Sequence, residues 1–164
     1  MSNYPLALNN KWTYKQKDGS TYTNSVTAAN GPGEFTMLNS AVNKSSHIRK
    51  DGDNYLTDAF EEGNYQILLK DNLKPGDTWE IHFTANGIQS ILVMTAIETG
   101  ASKDVEGKSY SGVTQIEGDS KMNMNGTIMS LNFKTQYYYA DGVGLILTTS
   151  SYGDYHGLTA CELH

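Results

Sequence analysis

Turn signals punctuate this chain at intervals of about ten residues, and that spacing limits its fold more than any other feature. They are Asp18-Gly19, Gly31-Pro32-Gly33, Asp51-Gly52, Glu62-Gly63-Asn64, Pro75-Gly76-Asp77, Asn86-Gly87, Asn125-Gly126 and Asp141-Gly142. Asn-Gly and Asp-Gly accept the positive φ of tight hairpins, so each predicts a chain reversal. Only strand-sized segments fit between them, and those segments alternate. Trp12, Tyr14 and Gln16 oppose Thr13, Lys15 and Lys17; Trp79, Ile81 and Phe83 oppose Glu80, His82 and Thr84. The longest such run sets Met129, Leu131, Phe133, Thr135, Tyr137 and Tyr139 against Ser130, Asn132, Lys134 and Gln136. A period of two with a polar reverse side predicts half-buried antiparallel strands. Residues 88–98 are apolar on both sides, which predicts a central or doubly covered strand. Roughly eleven or twelve strands follow. No convincing helix is expected, and residues 41–49 and 59–64 are the only places where a short turn of one fits.

The predicted fold is all-β, a strongly curved antiparallel sheet forming a barrel or half-barrel, as a single domain over 1–164. Eleven Tyr and sixteen Gly suit such a sheet. A domain of this length buries roughly 70% of its unfolded surface. It therefore needs no staples, and the lone Cys161 cannot supply an internal disulfide.

A net charge of −6 and a single arginine, Arg49, exclude a phosphate-backbone binder, so no nucleic-acid partner is expected. The same charge disfavours an anionic membrane surface. The longest apolar run, Ile91 to Met94, is far shorter than the ~20 residues of a membrane helix, so no integral membrane segment is expected. Residues 1–5 carry no basic segment, apolar core or lipid-accepting cysteine. The expected location is periplasmic, outer-membrane-associated or secreted if a signal has been trimmed, and cytoplasmic otherwise.

Candidate sites reduce to one set. His156 and His164 share a strand face but lie about 27 Å apart along it, with Cys161 pointing the other way, so no metal site is expected. Asp51-Gly52-Asp53-Asn54 has the acids of a calcium loop, but Tyr55 and Leu56 occupy positions that need an oxygen ligand and a glycine. Those residues read as a hairpin turn. No nucleophile elbow, phosphate-cradling loop or zinc-protease helix motif is present, so no catalytic residue, cofactor or enzymatic activity is expected. Glu80 and His82 share a strand face with acid–base chemistry, but such a polar stripe is more often the wet side of a sheet. The aromatic residues remain: Trp12, Tyr14, Tyr22, Tyr55, Tyr65, Trp79, Phe83, Phe133, Tyr137 and Tyr139. They read either as an ordinary core or as the lining of a cup, because a buried tyrosine hydroxyl must find a partner.

Four segments carry a resemblance: Pro5-Leu6 through Trp12-Thr13-Tyr14, Leu73 to Trp79, Val105 to Val113, and Tyr137 to Ile146. In them the chain resembles bacterial secreted or lipoprotein-type β-sheet domains of unknown function. The resemblance implies export, often through a lipidated cysteine, and a curved sheet of lipocalin-like or lipoprotein-carrier-like form. The expected function is a non-enzymatic binding or carrier-like domain for an apolar or amphipathic small molecule, in the cell envelope. The alternative is a structural or interaction module with a filled core, binding protein or glycan at a sheet edge or loop. The oligomeric state is open.

Overall fold

A computed structural model describes residues 2–164; Met1, part of the segment inspected for an export signal, lies outside them. The described residues form twelve strands in one antiparallel sheet. The first six are β1 (Lys11–Gln16), β2 (Thr21–Gly31), β3 (Glu34–Asn39), β4 (Lys44–Asp51), β5 (Asn54–Thr57) and β6 (Gln66–Lys70). The rest are β7 (Thr78–Ala85), β8 (Ile88–Val105), β9 (Lys108–Met124), β10 (Thr127–Ala140), β11 (Gly144–Ser150) and β12 (Tyr155–Glu162). Sequential strands pair throughout, except that β1 pairs with β12 and no ladder joins β6 to β7. The sheet curls until those two edges meet, giving a nearly closed barrel. Gly19, Gly52, Gly87, Gly126 and Gly142 all sit in turns with positive φ, as the dipeptide pattern predicts.

Side chains close the seam where the ladder stops. The Trp79 indole donates to Ile67 O at 2.9 Å. Gln66 Oε1 accepts from His82 N at 3.0 Å, and Glu61 Oε1 accepts from Thr84 N at 2.9 Å. Asn64 Nδ2 donates to His82 O at 3.0 Å. His82 N, His82 O and Thr84 N, backbone groups of β7 that an edge would expose, thus find partners, which also hinders pairing with another chain.

Residues 2–10 fill one end of the barrel. Tyr4 is buried against Trp12, Tyr55 and Tyr139, with ring centroids 5.1, 6.2 and 5.9 Å away. A polar latch holds the segment there. Asp71 accepts Asn3 N at 2.8 Å and the Tyr55 hydroxyl at 2.9 Å on one oxygen, and Lys50 Nζ at 2.6 Å on the other. Burial alone would raise the Asp71 carboxyl, but the Lys50, Asn3 and Tyr55 hydrogen bonds outweigh it and hold the group below its ordinary value. Gly144 passes close beneath this cluster. Its φ is 109°, and a Cβ there would lie 3.0 Å from Trp12 Nε1.

The two longest strands leave the barrel wall. Three register shifts between Ala96 and Lys103, with positive φ at Gly100 and Gly112, bend the β8–β9 hairpin over the outer face. Its tip reaches β12 and β1, where Glu106 accepts the Tyr155 hydroxyl at 2.5 Å and lies 3.7 Å from Lys15. Val105 and Tyr110 are buried beneath it.

No helix forms among the described residues; residues 41–49 and 59–64 contain turns and strand. Two expectations need correction. The run from Ile88 is next to the seam in the strand order, and its second apolar face (Ile91, Val93) lines an outer groove. The alternation in β10 breaks at a bulge between Ser130 and Phe133, where Asn132 has φ 52°, and Met129 and Leu131 are exposed.

Two predictions follow from the closures. Trp79→Phe keeps the ring but removes the seam hydrogen bond, so the melting temperature should fall by the equivalent of about 1 kcal/mol; an unchanged value would remove the indole from the closure. Asp71→Asn should destabilise the protein at pH 7 by about 3 kcal/mol, since it strips a buried pair of its anion. Because the folded carboxyl titrates below its unfolded value, its contribution is complete above about pH 4 and lost as pH falls through the folded value. The variant's melting temperature should therefore decline less than the wild type's across that acid window, and parallel declines would refute the latch.

Candidate functional site

The plug leaves a gap above it. A cavity of about 280 Å³ lies inside the barrel over the Tyr4 ring and opens at the opposite end, beside the β3–β4 turn. Met37, Ile48, Leu68, Leu145, Tyr137 and Tyr139 form its apolar walls, and Phe60 and Val42 border the mouth. Asn24, Asn39, Ser46 and Thr57 add polar atoms. Strand pairing explains the grouping: Asn24 faces Asn39, Val26 faces Met37, and Met37 faces Ser46, so their side chains share the inner surface.

Lys44 is the only charged residue among those lining the cavity, and it is exposed at the mouth. No salt bridge among the described residues engages it. The loop that carries Phe60 is fixed from below. Buried Asp58 accepts His47 N at 2.7 Å and Gly63 N at 3.2 Å, and pairs with His47 Nδ1 at 3.0 Å. Burial pushes the Asp58 carboxyl up, but these hydrogen bonds prevail and keep it below the ordinary value, hence ionised.

The phenols of the wall are neutral. Burial first, then the adjoining Tyr4 and Tyr137 hydroxyls, push Tyr139 well above the usual tyrosine value, and burial raises Tyr137 as well. Such groups donate and accept hydrogen bonds but supply no base or nucleophile at neutral pH. The cavity offers an apolar sleeve, a few polar contacts and one cation at its lip.

The aromatic residues singled out by sequence divide among several places. Tyr137 and Tyr139 line the cavity. Trp12 lies at the plug, fully buried, its indole donating to Val143 O at 2.7 Å. Tyr14 donates to Leu145 O at 2.7 Å and stacks on Tyr22, whose hydroxyl meets His156 Nδ1 at 2.9 Å. Burial pushes Tyr22 up to about 12. Tyr55 belongs to the Asp71 latch, and Trp79 to the seam. Phe83 packs on Phe60 at 5.3 Å. Tyr65 lies under the Arg49 guanidinium, 4.2 Å from ring centroid to Cζ. Phe133 meets the exposed Tyr152 ring at 5.1 Å. Sequence reasoning missed Tyr4, Met37, Ile48, Lys44, Phe60 and Leu68. The Ser46-Ile48 alternation was a usable signal for one wall; nothing local marked Tyr4.

A wider outer groove of about 610 Å³ runs between the seam loop and β8–β10, past Glu80 and His82. His82 Nε2 lies 2.8 Å from Glu80 Oε1, with side chains 57% and 55% exposed, so this pair stands on a solvated face. Among the described residues no group of three or more His, Cys, Asp or Glu side chains is placed to hold a metal ion. No helix there is long and apolar enough to cross a membrane.

No family model and no curated protein sequence matches the chain. Its fold is nevertheless shared with solved structures. A Bacteroides fragilis protein, whose name calls it exported and of YmcC-like fold, aligns over 97% of this chain and 98% of its own at 12% identity, with a TM-score of 0.61. A Parabacteroides distasonis protein named as a lipoprotein aligns over 98% of both chains at 9% identity, with a TM-score of 0.59. At such identities the likeness is one of fold: an all-β barrel of the kind found in proteins named as exported or as lipoproteins.

Proposed function

We propose that this protein is a non-enzymatic binding or carrier-like protein for a small amphiphile, working in the bacterial cell envelope. One observation carries the reading. An apolar cavity lies inside the barrel, closed below by Tyr4 and opening past a single cation, Lys44. Apolar walls with a few polar contacts are the usual chemistry of small-molecule sites, and this cavity is at the small end of their range. Its 280 Å³ corresponds to roughly nine water-sized groups at ~30 Å³ each. The ligand class is therefore a single short chain with an acidic head, its carboxylate near Lys44 and its chain along Met37, Leu68 and Leu145. The envelope location draws support from the two neighbours that share the fold and are named as exported or as a lipoprotein.

The experiment is a thermal-shift and calorimetric titration with straight-chain acids of graded length, set against the matching alcohols. A ligand that selects the native state raises the melting temperature by mass action. Acids of about eight to ten carbons, matched to the ~30 Å³ groups the cavity holds, should give the largest shift. Alcohols should bind more weakly. Ser46→Trp, which fills the cavity without touching the plug, should abolish the shift and leave the free protein's melting temperature unchanged or higher. A panel without any response, or full binding by Ser46→Trp, would replace the carrier reading with that of a filled interaction module.

A further inference from the structure

At the mouth end of the barrel, β8, β9 and β10 continue past the wall as a ribbon. The pairing of β10 with β9 begins at Thr127 with Met124, whereas its pairing with β11 begins only at Thr135 with Ser150. Residues 127–132 therefore stand clear of the barrel on that side, with Phe133 against Tyr152 at their base. Five of the ten large hydrophobic side chains exposed among the described residues lie here. They are Ile88, Met124, Ile128, Met129 and Leu131, each between 42% and 51% exposed. Such clustering differs from the scattered apolar residues of an ordinary surface.

The ribbon exposes apolar side chains on both faces, Ile128 standing on the outer one beside the polar Gln89 and Asn123. Ile128 and Met129 are consecutive in a strand and point to opposite sides. Ile128 borders the outer groove with Ile91 and Lys121. Met129 pairs with Met122 on the reverse, in line with Met124. A flat protein partner would cover one of these faces and leave the other in water. An apolar medium covers both at once.

Charge distribution points the same way. The chain has eighteen acidic residues, yet none falls between Ser120 and Ala140 or between Ala85 and Ile97. Lys134 sits at the ribbon's base, 3.6 Å from Glu117. That leaves Lys121 as the one charge farther out, on a stem long enough to keep its ammonium in the headgroup layer. We propose that this ribbon docks the protein on a lipid bilayer, its tip at the headgroup–acyl boundary and the barrel mouth turned toward the membrane. The net charge of −6 disfavours anionic lipid, so the surface recognised is a neutral, zwitterionic one, held by apolar burial with little dependence on salt. Docking does not require that the cavity hold a ligand.

The test is co-sedimentation of the full chain with sucrose-loaded phosphatidylcholine vesicles at low and high salt, beside the double variant Ile128→Asp/Met129→Asp. The wild type should pellet with the vesicles at both salt concentrations. The double variant, with an unchanged circular dichroism spectrum and melting temperature, should bind about tenfold or more weakly, as expected from losing two half-buried apolar contacts and adding two charges. Should the substitutions unfold the ribbon, Ile128→Ser alone reads the same loss with a smaller step. A wild type that stays in the supernatant, a double variant that pellets equally, or a dimer in sedimentation velocity that the double variant dissolves would each overturn the proposal.

Discussion

Twelve strands make a barrel wider than its own strand side chains can fill. About eight strands leave an interior that side chains just occupy, while sixteen or more leave an open channel. Lying between these limits, this barrel must import material, and the segment before β1 supplies it. Tyr4, the largest group brought in, completes a cluster with Trp12, Tyr55 and Tyr139 that fills one end. The polar latch on Asp71 follows from that insertion, because a backbone led through the interior carries N–H groups that need buried acceptors. The cavity follows too, being the part of the interior the plug does not reach.

The seam answers a second demand of the same width. A ladder between β6 and β7 would fix their separation at that of neighbouring strands, about 4.8 Å. Side chains from residues 61–66 and Trp79 reach across instead, satisfying donors without setting that spacing. This loosens the circumference where the Phe60 loop borders the mouth, and the His47–Asp58 pair then holds that loop in place. The plugged end and the mouth end therefore rest on separate carboxylates, Asp71 and Asp58, both ionised at neutral pH.

Much of this was legible in the sequence and some was not, for identifiable reasons. Turn dipeptides and period-two runs are local signals, so the strand count, the antiparallel pairing and the positive φ at Gly142 could be read directly. The Trp12-Tyr14 pair announced an inward face correctly because its strand is short and the extra residue opposite it lies in β12. In β10 two extra residues, Leu131 and Asn132, interrupt the ladder; Met129 keeps the face of Phe133, but it is exposed because the strand has left the barrel wall there, which alternation cannot show. The ten aromatic residues could not be sorted by alternation alone. Seam, latch, stack and cavity all use the inner face, and only the three-dimensional path of residues 2–10 separates them. Net charge is a whole-chain sum, and it does not show that residues 120–140 carry no carboxylate.

The free edges of the sheet do not belong to the first and last strands. β1 and β12 pair in the middle of the strand order, and the edges are β6 and β7, which residues 71–77 connect. The molecule is thus two six-stranded hairpin ladders joined by one pairing, of Lys11–Gln16 with His156–Glu162. Within each ladder every partner is a neighbour in sequence, so closure costs little loop entropy. The joining pair encloses almost the whole chain, and it is the contact that slows folding of such a topology. Once it forms, the seam brings together strands already tethered by a short loop. Linking the native ends and opening the chain within 71–77 would turn the slowest step into a simple hairpin and hand the long-range closure to the seam.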